Sequence, residues 1–202
     1  MKKIPTLFVR DMTAEPRLLV PELTPGCEWV LLGEGRPTRK RDGTACLVDD
    51  AGRHWRRYDA KHGKTPPAAF VPCQEPDPVT GHHPGWLPIG EGPEDKHYRA
   101  ATWPTAPGTY ELCGPKIGGN PERLPELRLF RHGAEEIDHH IIPPDGGIND
   151  AFVRLIFDGM RERLASGGVD LIEGIVWHHP DGRMAKLKRR DYGLPWPVKE
   201  MA

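Results

Sequence analysis

Apolar and polar positions alternate in short bursts along most of this chain, and only one stretch keeps a helical period. Cys27 to Leu32 is an apolar run that stops at Gly33 and reads as a strand. Thr44 to Val48 and His54 to Tyr58 flank the turn Asp49-Asp50-Ala51-Gly52, a hairpin pattern. Thr109 to Cys113 and Leu127 to Arg131 are further strand candidates, separated by the turn-rich GPKIGGNPE. From Asp150 to Ala165 the spacing predicts a helix, with Phe152, Leu155, Ile156, Met160 and Leu164 on its apolar face. Asn149 or Asp150 can cap its start, and Gly167-Gly168 stops it.

EGIVWHH and RMAKLKRR read as a final pair of strands joined through Pro180-Asp181-Gly182. Side chains alternate along a strand, so Glu173, Ile175 and Trp177 share one face, and Lys186 and Lys188 share one face of the partner strand. The pairing register decides whether the carboxylate and the two lysines meet, since a slip of one residue separates them. Residues 61 to 97 break the pattern: Pro and Gly recur around His82-His83 and Trp86, which predicts a long insertion or substrate lid reaching to about residue 107. One amphipathic helix among mostly antiparallel strands gives the α+β fold class.

Composition adds limits. The 202 residues suit one domain, and a 37% hydrophobic fraction can supply a core. A net charge of −1 excludes a uniformly basic nucleic-acid binder, but Arg36, Arg39, Lys40 and Arg41 cluster, as do Arg183, Lys186, Lys188, Arg189 and Arg190. Local clusters of this kind can bind phosphates at neutral overall charge. No apolar run is long enough for a membrane span and no leader is visible, so a cytoplasmic monomer without a membrane partner is expected. The four cysteines form no CxxC pair, which fits reduced thiols. The doublets His82-His83, His139-His140 and His178-His179 lack the spacing of a closed metal site.

Three pieces carry chemistry: Lys40-Arg41-Asp42-Gly43 between a strand and a hairpin, Glu111 within TYELCG, and the Glu173 strand facing Lys186-Leu187-Lys188. Their order resembles the lysine-dependent nucleotidyltransferases, the superfamily of polynucleotide ligases and capping enzymes. KRDG resembles the nucleophile motif, TYELCG the glutamate strand, EGIVW the EGxV motif and KLK the terminal lysine-x-lysine. Each match alone is weak; four in order are much stronger. RKRDGTAC, HWRRYDAK, GTYELCGPKIGGNPE and EGIVWHHPDGRMAKLKRRDYG together resemble the single-domain ATP-dependent 5′-to-3′ RNA ligases, over about residues 30 to 192.

That resemblance implies a nucleotidyltransferase domain spanning residues 1 to 202, with two antiparallel sheets, flanking helices and the nucleotide between the sheets. It implies no appended oligonucleotide-binding barrel, for which the tail after Lys188 has no room. It implies Lys40 as the nucleophile that takes AMP from ATP, with Asp42 and Gly43 shaping its turn and Arg39 beside it. Arg57 would contact the ribose or the RNA-side phosphate, with Arg56 as the competing choice. Glu111 would hold the ribose or a metal-bound water. Glu173 would bind magnesium, or manganese in its place. Lys186 and Lys188 would clamp the α-phosphate, and Asn120 matches a family position without a sharp role. The partner implied is RNA bearing 5′-phosphate and 3′-hydroxyl ends. Another nucleotidyltransferase, either a DNA ligase or a guanylyltransferase, is the nearest alternative. A non-catalytic RNA-end-binding module is the alternative from a different class. Taken alone, Lys186 and Lys188 read as a solvated basic edge.

Overall fold

The computed structural model describes residues 1–60, 63, 65–78, 80–142, 145, 147–166 and 172–198. Along the chain run β1 (Phe8–Arg10), β2 (Leu19–Leu23), α1 (Glu28–Leu31), β3 (Arg36–Lys40), β4 (Thr44–Val48), β5 (His54–Ala60), β6 (Val71–Pro72) and β7 (His83–Pro88). Then follow α2 (Lys96–Ala100), β8 (Gly108–Cys113), β9 (Arg128–Arg131), α3 (Asp150–Ala165), β10 (Gly174–His178) and β11 (Met184–Lys188). They fold as two compact units, one of Met1–Lys3 with Asp42–His132, the other of Ile4–Arg41 with Gly133–Ala202. Sheets dominate, and among the described residues the named strands pair antiparallel, in keeping with the α+β class.

The unit containing α3 holds the two-stranded ribbon β1-β2 and a three-stranded sheet in the order β11-β10-β3. Both flanks of that sheet are lined by backbone. Leu7 N–H donates to the Lys186 carbonyl at 2.9 Å and Lys186 N–H to the Pro5 carbonyl at 3.0 Å, while Arg39 N–H donates to the Glu135 carbonyl at 2.8 Å. One sheet face carries Ile175, Trp177, Ala185 and Leu187 into a core with Phe8, Trp29, Leu31, Met160 and Leu164. Asn149 caps α3 by accepting from Phe152 N–H.

Two expectations fail in this unit. Cys27–Leu32 is not a strand but contains the one-turn helix α1. Trp29, Val30 and Leu31 are all buried, and a short apolar run buried on every side carries no period that separates helix from strand. Leu155, assigned to the apolar face of α3, is 66% exposed, and Val153 is buried instead. A helix advances about 100° per residue, so Val153, Ile156, Met160 and Leu164 share a stripe that Leu155 misses. The Gly167-Gly168 stop lies outside the described residues.

The other unit is a six-stranded sheet in the order β6-β7-β5-β4-β8-β9. Cys46, Val48, Tyr110 and Leu112 pack one of its faces against Ala101 and Ile117, with Tyr98 and Trp103 alongside. Within the segment read as a long loop, β7 lies between β5 and β6 and pairs with β5 from Trp55↔Pro88 to Ala60↔His83. Pro84 and Pro88 hid it, because prolines argue against an inner strand; here they fall near its two ends. Among the described residues, no helix is long and apolar enough to cross a membrane.

Candidate functional site

The register of the three-stranded sheet settles which side chains share a face. Lys40 stands opposite Gly174, and Gly174 opposite Lys188; one row along, Thr38 stands opposite Val176, and Val176 opposite Lys186. Directly opposed residues point the same way and neighbours alternate. Lys40, Lys186 and Lys188 therefore lie on one face, the reverse of the face that carries Ile175, Trp177, Ala185 and Leu187 into the core. Gly174 is dictated by packing: a Cβ there would lie 2.0 Å from the Leu187 carbonyl oxygen.

Glu173 does not follow the alternation expected of it. The strand begins at Gly174, and Glu173 occupies the bend before it, so the ladder does not fix its direction. Its carboxylate is buried and accepts a hydrogen bond from Lys40 Nζ. Seated with Ile175 and Trp177 it would leave a carboxylate among apolar side chains, a cost of several kcal/mol. Lys40 Nζ also donates to the Arg41 carbonyl at 3.3 Å.

Around this row the charges are dense. Burial, followed by the Lys188 and Lys40 ammonium groups, pushes Lys186 down from its ordinary 10.5 to about 8, with Asp191 and Glu173 pulling the other way. Asp191 is itself buried; its Oδ1 accepts from Arg10 and lies 3.6 Å from Lys188 Nζ. On the other flank the Arg41 guanidinium grips Glu135 through two bonds of 2.9 Å, with Arg39 at 3.8 Å from the same carboxylate. Asp191, Arg10 and Glu135 escaped the sequence reading, because a lone charged residue outside a motif carries no positional signal.

In the six-stranded sheet, the pairings Ala45↔Glu111 and Arg57↔Trp86 place Glu111 and Arg57 on one face, opposite the Cys46-Val48-Leu112 core. Arg56 is on the core side and pairs with buried Asp95 at 2.5 Å. Arg57 bonds the Met1 carbonyl and sits over the Trp86 ring, 5.4 Å from its centroid. Glu111 Oε1 accepts from Gly43 N–H at 3.0 Å, and Oε2 meets His132 Nε2 at 2.9 Å. Asp42 N–H donates to Glu122 Oε1 at 3.0 Å. Gly43 admits no side chain, since a Cβ would lie 2.2 Å from the Leu112 carbonyl oxygen. Asn120 gains a role in its own loop: with φ at +57° it exchanges two side-chain bonds with the Leu124 backbone, at 2.9 and 3.0 Å.

The histidine doublets are tied locally. His82 pairs with Asp59, and His178 bonds Thr38 Oγ1 at 3.1 Å. His179 lies 2.8 Å from Asp181 and its side chain is only 15% exposed, so the doublet at the last hairpin is more enclosed than a turn position suggests.

A family model described as RNA ligase 1 matches residues 106–202, the stretch holding Glu111, Glu122, His132, Glu173, Lys186 and Lys188. RNA ligase 1 of Pongo abelii is 26% identical over 81% of this chain and 69% of that protein. Over this stretch the chain is similar to the RNA ligase 1 family. The Mus musculus RNA ligase 1 is 27% identical over 81% of the chain and 68% of its own length. The Danio rerio RNA ligase 1 is 26% identical over 59% of the chain and 43% of its own. Lys40 and Arg57 precede the stretch matched by the RNA ligase 1 family model.

Proposed function

We propose that this protein is an ATP-dependent RNA ligase that joins 5′-phosphate to 3′-hydroxyl RNA ends through a lysyl-AMP on Lys40. The observation that carries this reading is the sheet row itself: Lys40 held by Glu173, with Lys186 and Lys188 on the same face. Its kinship with proteins named RNA ligase 1 supports the choice of polynucleotide.

In the first step Lys40 Nζ attacks the α-phosphorus of ATP. Nζ reacts as the neutral amine: the N–P bond forms, the bond to the pyrophosphate oxygen breaks, and the protons lost from Nζ pass to solvent, leaving Glu173 ionised. Lys186 and Lys188 offset the charge on the α-phosphate oxygens, the main catalytic lever in phosphoryl transfer. The AMP then passes to the RNA 5′-phosphate, and a 3′-hydroxyl attacks that phosphate and expels AMP. Arg57 and Glu111 are assigned to the nucleotide ribose and the RNA-side phosphate, with Arg39, Asp42 and Gly43 shaping the approach to Lys40.

The donor set fits magnesium or manganese. Among the described residues no group of three or more His, Cys, Asp or Glu could hold a metal. Magnesium instead favours one or two carboxylates together with phosphate oxygens and water. Glu173 would supply the carboxylate, and the ion, when bound, would neutralise phosphate charge.

The test is intact mass after incubation with ATP and magnesium, beside Lys40→Ala. A gain of one AMP that disappears in the variant establishes the covalent step, and sealing of a 5′-phosphorylated RNA completes it. No adduct on the wild type, with GTP and manganese also tried, overturns the reading in favour of an RNA-end-binding module.

A further inference from the structure

We propose that Glu122 and His132 are positioning residues of the nucleophile turn, each acting on its backbone through a carboxylate: Glu122 directly, His132 through Glu111. The consequence for catalysis rests on the ligase reading; the clamp itself rests on the geometry. Consecutive N–H groups, those of Asp42 and Gly43, each donate to a carboxylate oxygen at 3.0 Å. Both follow the end of β3 at Lys40 and precede the start of β4 at Thr44, outside either strand. Backbone donors in such a position need other acceptors, and ionised acceptors make the stronger bonds.

The two acceptors are themselves held. Glu111 has Oε1 on the turn and Oε2 on His132 Nε2, and its side chain is 14% exposed. Either the neutral Nε2–H imidazole or the imidazolium can donate in that bond. Glu122 follows Asn120, whose paired bonds with the Leu124 backbone close the loop around it. Against the other side of the turn, Gly43 abuts the Leu112 carbonyl with no room for a side chain. The turn is thus pinned from Glu122, Glu111 and β8, and Lys40 lies two residues before Asp42. A displacement of about 1 Å at a nucleophile can cost on the order of a hundredfold in rate.

The experiment compares Glu122→Ala with Glu122→Gln, and His132→Ala with His132→Gln, by the single-turnover rate of Lys40 adenylation, the KM for ATP, and amide exchange at Asp42 and Gly43. Glutamine keeps an acceptor for the Asp42 amide at position 122 and a donor for Glu111 at position 132. Each alanine variant is expected to slow adenylation roughly tenfold or more with the KM for ATP little changed. Glutamine should restore most of the rate, and exchange should quicken at Asp42 in Glu122→Ala and at Gly43 in His132→Ala. Alanine variants at the wild-type rate, glutamine variants as slow as alanine, or unchanged exchange at both amides would each overturn the proposal. If the wild type forms no adduct, the ligase reading fails while amide exchange still decides the clamp.

Discussion

Replacing Lys186 with methionine should make the protein more stable at pH 7 while destroying adenylation. Lys186 is half-buried, and this burial, followed by the Lys188 and Lys40 ammonium groups, takes it from 10.5 down to about 8. At roughly 1.4 kcal/mol per pH unit, that drop corresponds to about 3 kcal/mol of disfavoured charge in the folded state. At pH 7 the group is protonated both folded and unfolded, so the folded protein bears this cost in full. Above about 8 the folded protein sheds the proton first, and the cost fades until the unfolded chain also loses it near 10.5. Loss of the attraction to Asp191 and Glu173 offsets part of the gain. The expected stabilisation in Lys186→Met is therefore about 1–3 kcal/mol at pH 7, shrinking toward pH 10. Urea denaturation of both proteins across that range measures it, with AMP adduct formation read in parallel. A variant that is less stable at pH 7, by an amount independent of pH, would refute the account of Lys186 as a strained cation.

Three further outcomes follow from the packing. Gly174→Ala should cost about 1–3 kcal/mol or more, because the new Cβ meets a carbonyl oxygen at 2.0 Å that cannot step aside, and thermal denaturation will show it. Asn149→Ala removes the cap on Phe152 N–H and should cost about 1 kcal/mol by urea denaturation. His139 is pushed from 6.5 to about 4 by burial, then by Arg163 and His140 against Asp138. The stability it confers is thus present above pH 6.5 and is lost as pH falls through about 4. His139→Gln should flatten that acid loss in a denaturation series, and an unchanged slope would count against it.

The strand placement of much of the candidate site was legible in the sequence because its residues sit in motifs tied to strands: Lys40 ends β3, Glu111 is within β8, and Lys186 and Lys188 alternate on β11. The hairpin turns at Asp49 and Asp181 were equally legible, since turn chemistry is local. What stayed hidden depends on distant packing. The face of Glu173 follows from leaving the ladder, which no alternation rule describes. Glu122 lay inside GGNPE, yet only the fold shows that its carboxylate reaches the backbone of Asp42. His132 has no periodic neighbour to mark it. The strand β7 was masked by its own prolines, and α1 by an apolar run buried on all sides.

The backbone of residues 5–7 running beside β11 changes what Lys186 and Lys188 are for. An uncovered outer strand offers its row of N–H and C=O groups as a template for other chains, and lysines are common gatekeepers against such aggregation. With the outward N–H and C=O of Lys186 already bonded to residues 5 and 7, gatekeeping is not left to the lysines alone. Trimming the chain past Leu7, as in a shortened expression clone, would strip the cover and leave a lysine-bearing strand open to self-association.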